Sequence, residues 1–112
     1  MIEALWSVFF ETPNGDTGGG VIVIDTRGVY GGDTSFYYLG SVSYDPKSET
    51  ISGDIQVRRH NDQLAFIFPS LDGGTYRFSG KLSKPVMYLR GHLLEAPSQT
   101  LTVRCVWIAD LP

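Results

Sequence analysis

Side chains of alternating character run through almost the whole of this chain, and that period of two constrains its fold more than any other feature. The stretch "TISGDIQVRR" is the clearest case. Ile51, Gly53, Ile55 and Val57 alternate there with Ser52, Asp54, Gln56 and Arg58. Successive side chains of an extended strand point to opposite faces, so such a run has one apolar and one polar face. "WSVFFE" sets Trp6, Val8 and Phe10 against Ser7, Phe9 and Glu11. "FYYLGSVSYD" sets Phe36, Tyr38, Gly40, Val42 and Tyr44 against Tyr37, Leu39, Ser41 and Ser43. "TYRFSGKL" and "LTVRCVWIA" follow the same rule, and "LAFIF" has Leu64, Phe66 and Phe68 in step. "VMYLRGHLL" is less regular. "GVIVID", from Gly20 to Asp25, is continuously apolar, the pattern of a strand covered on both sides. No run is long or periodic enough to predict a helix.

Turn-forming stretches separate these runs: "TPNGDTGGG", "TRG", "GGD", "DPKSE", "RHND", "SLDGG", "SKP" and "EAPSQ". The spacing predicts eight strands, with room for a short ninth, in an antiparallel meander. A twisted meander left open exposes two edges, and rolling it up removes them. The expectation is therefore an all-β, up-and-down barrel with little or no helix. Eight strands enclose an interior that side chains fill or that holds one small ligand. Gly40, Gly53, Gly80 and Gly91 fall within strands, where they suit the bends and bulges of a small coiled barrel.

The chain of 112 residues is predicted to form one domain over 1–112, with no internal repeat or linker. Twelve acidic and nine basic residues leave a net charge of -3. The basic residues are scattered apart from Arg58-Arg59, which argues against direct nucleic-acid binding. Cys105 is the single cysteine, so neither an intramolecular disulfide nor a cysteine zinc cluster can form. That fits a reducing compartment. The apolar N-terminal run has no basic residue before it and contains Glu3, which makes it a poor signal peptide. No apolar run approaches the ~20 residues that span a bilayer as a helix. The expectation is a soluble cytoplasmic protein with no membrane association.

Each candidate functional residue also fits a structural role. Gly31-Gly32-Asp33 precedes another strand, not the helix N-terminus that a phosphate loop needs. It reads as a structural turn in which the glycines supply positive φ angles and Asp33 caps the bend. "TGGG", Thr17 to Gly20, lacks a P-loop's Lys and reads as a flexible or bulged connection. His60 and His92 read as solvated, and Cys105 as a buried inert thiol on the apolar face of the last strand. No spacing suggests a metal site, no cofactor is implied, and no group of residues forms a recognisable catalytic set. The expectation is a protein that is not an enzyme.

Aromatic residues, 12% of the chain, are the remaining signal. Trp6, Val8, Phe10, Phe36, Tyr38, Tyr44, Phe66 and Phe68 are the candidate lining of a lumen that packs solid or holds a small apolar ligand. Phe9, Tyr37 and Trp107, or its neighbours Val106 and Ile108, fall on opposite faces and cannot all lie inside. They predict an apolar outer patch and hence a partner or a second copy of the chain.

The order of strand, "G-x-x-x-GGD", spacer and "Y-x-G" resembles the GrlR-like family, regulators best known as repressors of type III secretion genes. Gly28, Gly31, Gly32, Asp33, Tyr38 and Gly40 carry the resemblance, with Ser43 and Asp45 beyond them. "LWSVFF" is similar to the family's opening strand, and Ile55 to Asn61 to its next long strand and turn. The resemblance covers about the first 60 residues. It implies a lipocalin-like barrel with an apolar cavity, a homodimer, and regulation through contact with a partner protein such as a transcription activator. The family's repressor meets its activator with an acidic run after "Y-x-G". This chain has Asp45, Lys47 and Glu49 in the corresponding loop. That loop carries less negative charge, and steering toward a basic partner weakens with it.

Overall fold

A computed structural model describes residues 2–61 and 73–112. Among them are eight strands: β1 (Ala4–Glu11), β2 (Thr17–Asp25), β3 (Gly28–Gly32), β4 (Phe36–Asp45), β5 (Thr50–Arg59), β6 (Gly73–Ser83), β7 (Val86–Leu93) and β8 (Ala96–Ala109). Each pairs antiparallel with the next, and β8 returns to β1 to close the barrel. The closing seam runs from Glu11↔Thr102 through Phe9↔Arg104 to Trp6↔Trp107. The structure is all-β, with no helix among the described residues, as the alternation predicts.

The two faces of each strand fall as the period of two requires. Trp6, Val8 and Phe10 of β1, Phe36 and Tyr38 of β4, Tyr76 and Phe78 of β6, and Val103 and Cys105 of β8 all point into the core. Trp6, Tyr76 and Met87 are fully buried. Each such side chain contributes roughly 1.5–3 kcal/mol or more through removal of its apolar surface from water. Trp6 also donates its indole N–H to the carbonyl of Ile2 at 2.8 Å, so its one polar group is satisfied inside the wall.

Four expectations need correction or relocation. The "TGGG" segment is no loose connection: Thr17 to Gly20 pair in unbroken register with Glu11 to Val8. β2 is not covered on both sides, since Val21 is 47% exposed. Gly31 and Gly32 do not make the turn. They lie in β3, opposite Tyr38 and Tyr37, and neither has a positive φ. A Cβ on Gly31 would stand 2.1 Å from the carbonyl oxygen of Val21, so close approach of β2 is what the glycine provides. The register shifts occur at Leu5/Trp6 and His92/Leu93, not at the mid-strand glycines. "LAFIF" lies outside the described residues, and the short β3 makes up the eight.

The antiparallel order places three connections at one end of the barrel: β2–β3, β4–β5 and β6–β7. The other end carries the β1–β2, β3–β4 and β7–β8 turns.

Candidate functional site

Among the described residues the interior is nearly filled, leaving an apolar cavity of about 60 Å³. That is room for about two waters, in a lining with no polar groups to hold them. Ligand pockets run to roughly 300–1,000 Å³. Of the predicted lumen residues, Val8, Phe10 and Tyr38 border the cavity. Trp6 and Phe36 are buried in the core without bordering it, and Tyr44 is half-buried against the core. Phe66 and Phe68 lie outside the described residues. Residues that the aromatic signal missed complete the lining, among them Ile24, Val57, Phe78, Met87 and Cys105. The inward parity of Val57, Phe78 and Cys105 was legible in the alternation, whereas Ile24 lies in a continuously apolar run and Met87 in an irregular one.

Cys105 is 1% exposed, and burial pushes its thiol up to about 12. It is a protonated, inert group in the lumen at neutral pH. His60 lies exposed in the turn after β5, and His92 lies on the outer side of β7. The barrel wall separates both from Cys105. Among the described residues no three His, Cys, Asp or Glu side chains gather where they could hold a metal ion.

Asp33 organises the β3–β4 turn. Its Oδ1 accepts hydrogen bonds from the backbone N–H of Ser35 at 2.9 Å and of Phe36 at 2.8 Å. Its Oδ2 accepts from the Tyr38 hydroxyl. Burial, reinforced by the bond to Asp33, raises the Tyr38 pKa far above its ordinary value. His60 Nε2 bonds the Asp33 carbonyl oxygen at 2.9 Å, and the His60 backbone N–H donates to the Ser35 carbonyl at 2.8 Å. The polar end of Tyr38 is therefore committed to the turn and is unavailable to a lumen ligand. Phe10 packs edge-on against the Tyr38 ring at 5.6 Å.

The loop bearing Asp45, Lys47 and Glu49 lies at the opposite end. The Asp45 carboxylate accepts from the Lys47 backbone N–H and the Ser48 hydroxyl, both at 3.0 Å. Glu49 has φ 58° and its carbonyl accepts from the Leu82 N–H at 2.9 Å. All three side chains are exposed.

The outer wall of β1 to β4 is apolar in register. Leu5, Val23, Tyr30 and Leu39 stand opposite one another across four adjacent strands. Val21 and Tyr37 lie one step along, with the small Ser7 and Gly32 between and beside them. Val21 and Leu39 are each 47% exposed, and Tyr30 and Tyr37 are also exposed. The row spans three inter-strand steps, about 14 Å. Tyr37 and Leu39 had been legible as outward apolar residues. Tyr30 and Val21 were not, because the glycines of β3 have the composition of a turn and β2 is a continuously apolar run with no alternation.

No protein-family model matches this chain, and no curated protein is similar to it in sequence. The fold itself defines the class: a closed, eight-stranded, up-and-down antiparallel β-barrel.

Proposed function

We propose that this barrel is a non-catalytic cytoplasmic binding module. It forms a homodimer and acts through contact with a regulatory partner protein, such as a transcriptional regulator. The observation that carries the reading is the pairing of a nearly filled interior with a registered apolar row on the outer wall of β1 to β4. Working surface that is outside the barrel suits protein contact, and exposed apolar patches of this kind mark interaction sites. Sedimentation velocity provides the test. Wild-type protein is expected to sediment as a dimer, and the Val21→Lys/Leu39→Lys variant as a folded monomer. A wild-type protein that stays monomeric at every concentration removes the dimer. Co-precipitation from the native cell with both forms then tests the regulatory contact, since a partner retained equally by both does not use this face.

A second reading, a carrier of small apolar ligands, draws support from the wholly apolar lumen lining. It requires the cavity to enlarge several-fold. Native mass spectrometry of protein taken directly from cell extract is expected to show bound ligand if this reading holds, and bare protein if it does not.

A further inference from the structure

Charge is divided unevenly between the two sides of this barrel. Residues 73–109, which form β6 to β8, carry Arg77, Lys81, Lys84, Arg90 and Arg104 against the single carboxylate of Glu95. The rest of the chain carries four cations against eleven carboxylates. The net charge of -3 thus conceals a basic wall on an acidic barrel.

Strand register concentrates that wall into a platform. Lys81 on β6 stands opposite Tyr88 on β7, Tyr88 opposite Arg104 on β8, and Arg104 opposite Phe9 on β1. Cation and ring therefore alternate across four neighbouring strands. Arg90 lies one step along β7, opposite Thr102. Tyr88 is 57% exposed, the Arg104 guanidinium lies 4.6 Å over the Phe9 ring, and an open groove of about 990 Å³ runs along these residues. Among the described residues Arg77 has its own carboxylate, Asp54, at 2.9 Å, whereas none pairs with Lys81, Arg90 or Arg104.

We propose that the Lys81–Tyr88–Arg104–Phe9 row, together with Arg90, is a docking surface for an extended acidic polypeptide segment. Arg90 and Arg104 are diagonal neighbours on adjacent strands, a separation of about 7–8 Å at the backbone. Carboxylates at alternate positions of an extended segment repeat at about 6.8 Å, so two of them reach both guanidinium groups from one face. Arginine binds carboxylate through two parallel hydrogen bonds, and the exposed rings of Tyr88 and Phe9 offer apolar contact between the charges. Nucleic acid fits less well. The platform offers few cations compared with the roughly 6–10 phosphate contacts of a typical binder, and a long polyanion would also meet the acidic remainder of the barrel. Glu11, at the edge of the groove, limits the anionic stretch that can lie there.

This surface is distinct from the apolar row of β1 to β4, so the two proposals fail separately. A monomeric protein that binds acidic peptide removes the dimer and leaves this inference standing. Fluorescence anisotropy of the full chain with a labelled peptide alternating Glu and Thr tests it. Its Gln–Thr counterpart and an oligothymidylate of equal charge serve as competing probes. The acidic peptide is expected to bind at least about tenfold more tightly than the Gln–Thr peptide and to weaken as salt is added. Arg90→Glu/Arg104→Glu is expected to lose more than about tenfold in affinity. Arg90→Gln and Lys81→Gln, which alter exposed side chains without reversing charge, decide the matter if that double variant does not fold. Each is expected to lose about threefold. Arg27→Gln, on the β2–β3 turn, is expected to bind like the wild type. Equal binding of the two peptides, no binding of either, or wild-type affinity in the neutral variants overturns the proposal. Tighter binding of oligothymidylate through the same residues overturns it in favour of nucleic acid.

Discussion

Asp33 shows how much one carboxylate can do at a strand reversal. Its two oxygens together accept two backbone N–H groups and the Tyr38 hydroxyl. Asp33→Ala strands all three donors, and a loss of about 2 kcal/mol is expected in urea unfolding. Tyr38→Phe removes only the hydroxyl, with an expected loss of about 1 kcal/mol. If Tyr38→Phe in an Asp33→Ala background costs as much as in the wild type, the two groups are not coupled. Titration offers a second check at this scale. Burial pushes both Cys105 and Tyr76 up to about 12, and Tyr38 is raised as well. Below about pH 7.5 all three are protonated whether the chain is folded or not, and their contribution is complete; the unfolded thiol begins to ionise above that, and the tyrosines above about pH 9. As pH rises from about 8 to about 12, the unfolded chain releases protons that the folded chain keeps. Stability then falls by about 1.4 kcal/mol per pH unit for each group in its window. Urea midpoints measured from pH 8 to 11 should fall accordingly, and Cys105→Ala should remove the part that begins at about pH 8. A profile flat up to pH 11 would contradict the buried placement of these groups. Residue roles were only partly legible in the sequence. Asp33 was recognisable as a turn cap from its setting, but its bond to Tyr38 depends on how β4 leaves the turn.

At the scale of the element, the interior glycines hold neighbouring strands close. A Cβ on Gly53 would stand 2.0 Å from the Ser41 carbonyl oxygen and 2.8 Å from the Val42 Cα. At Gly40 it would stand 2.2 Å from the Asp54 carbonyl oxygen. β4 and β5 thus cross more tightly than strands bearing side chains at these points could. Gly53→Ala is expected to destabilise the barrel by about 1–3 kcal/mol through overpacking, read as a lower urea midpoint with an unchanged slope. Unaltered stability would show that no such crossing exists. The same physics explains why β3 resembles a turn in sequence. Gly31 and Gly32 look like a reversal because turns favour glycine, yet a strand pressed against its neighbour favours it equally. Composition does not separate the two uses, and a five-residue strand is too short for its alternation to overrule the turn signal.

Closure belongs to the whole molecule. β8 joins β7 to β1, so a chain ending before Ala96 leaves both with unpaired backbone edges. Such a truncation is expected to abolish cooperative unfolding and to aggregate, as followed by circular dichroism and light scattering. A soluble truncated protein with a sharp thermal transition would mean that closure is dispensable. The division of the outer wall into an apolar side and a basic side also exists only at this scale. Phe9 and Arg104 lie near opposite ends of the chain and meet because the last strand returns to the first.

By itself the sequence determined that the chain is all-β and, in β1, β4, β5, β6 and β8, which side chains face inward. Alternation reports the parity of each residue directly, because the geometry of an extended backbone is local. Only the tertiary structure decided which strands stand side by side, how little space their side chains leave at the centre, and which outward residues share a row. Those outcomes depend on register between distant segments, and a register can slide by two residues without changing any side chain's face. A period of two therefore carries no record of the choice.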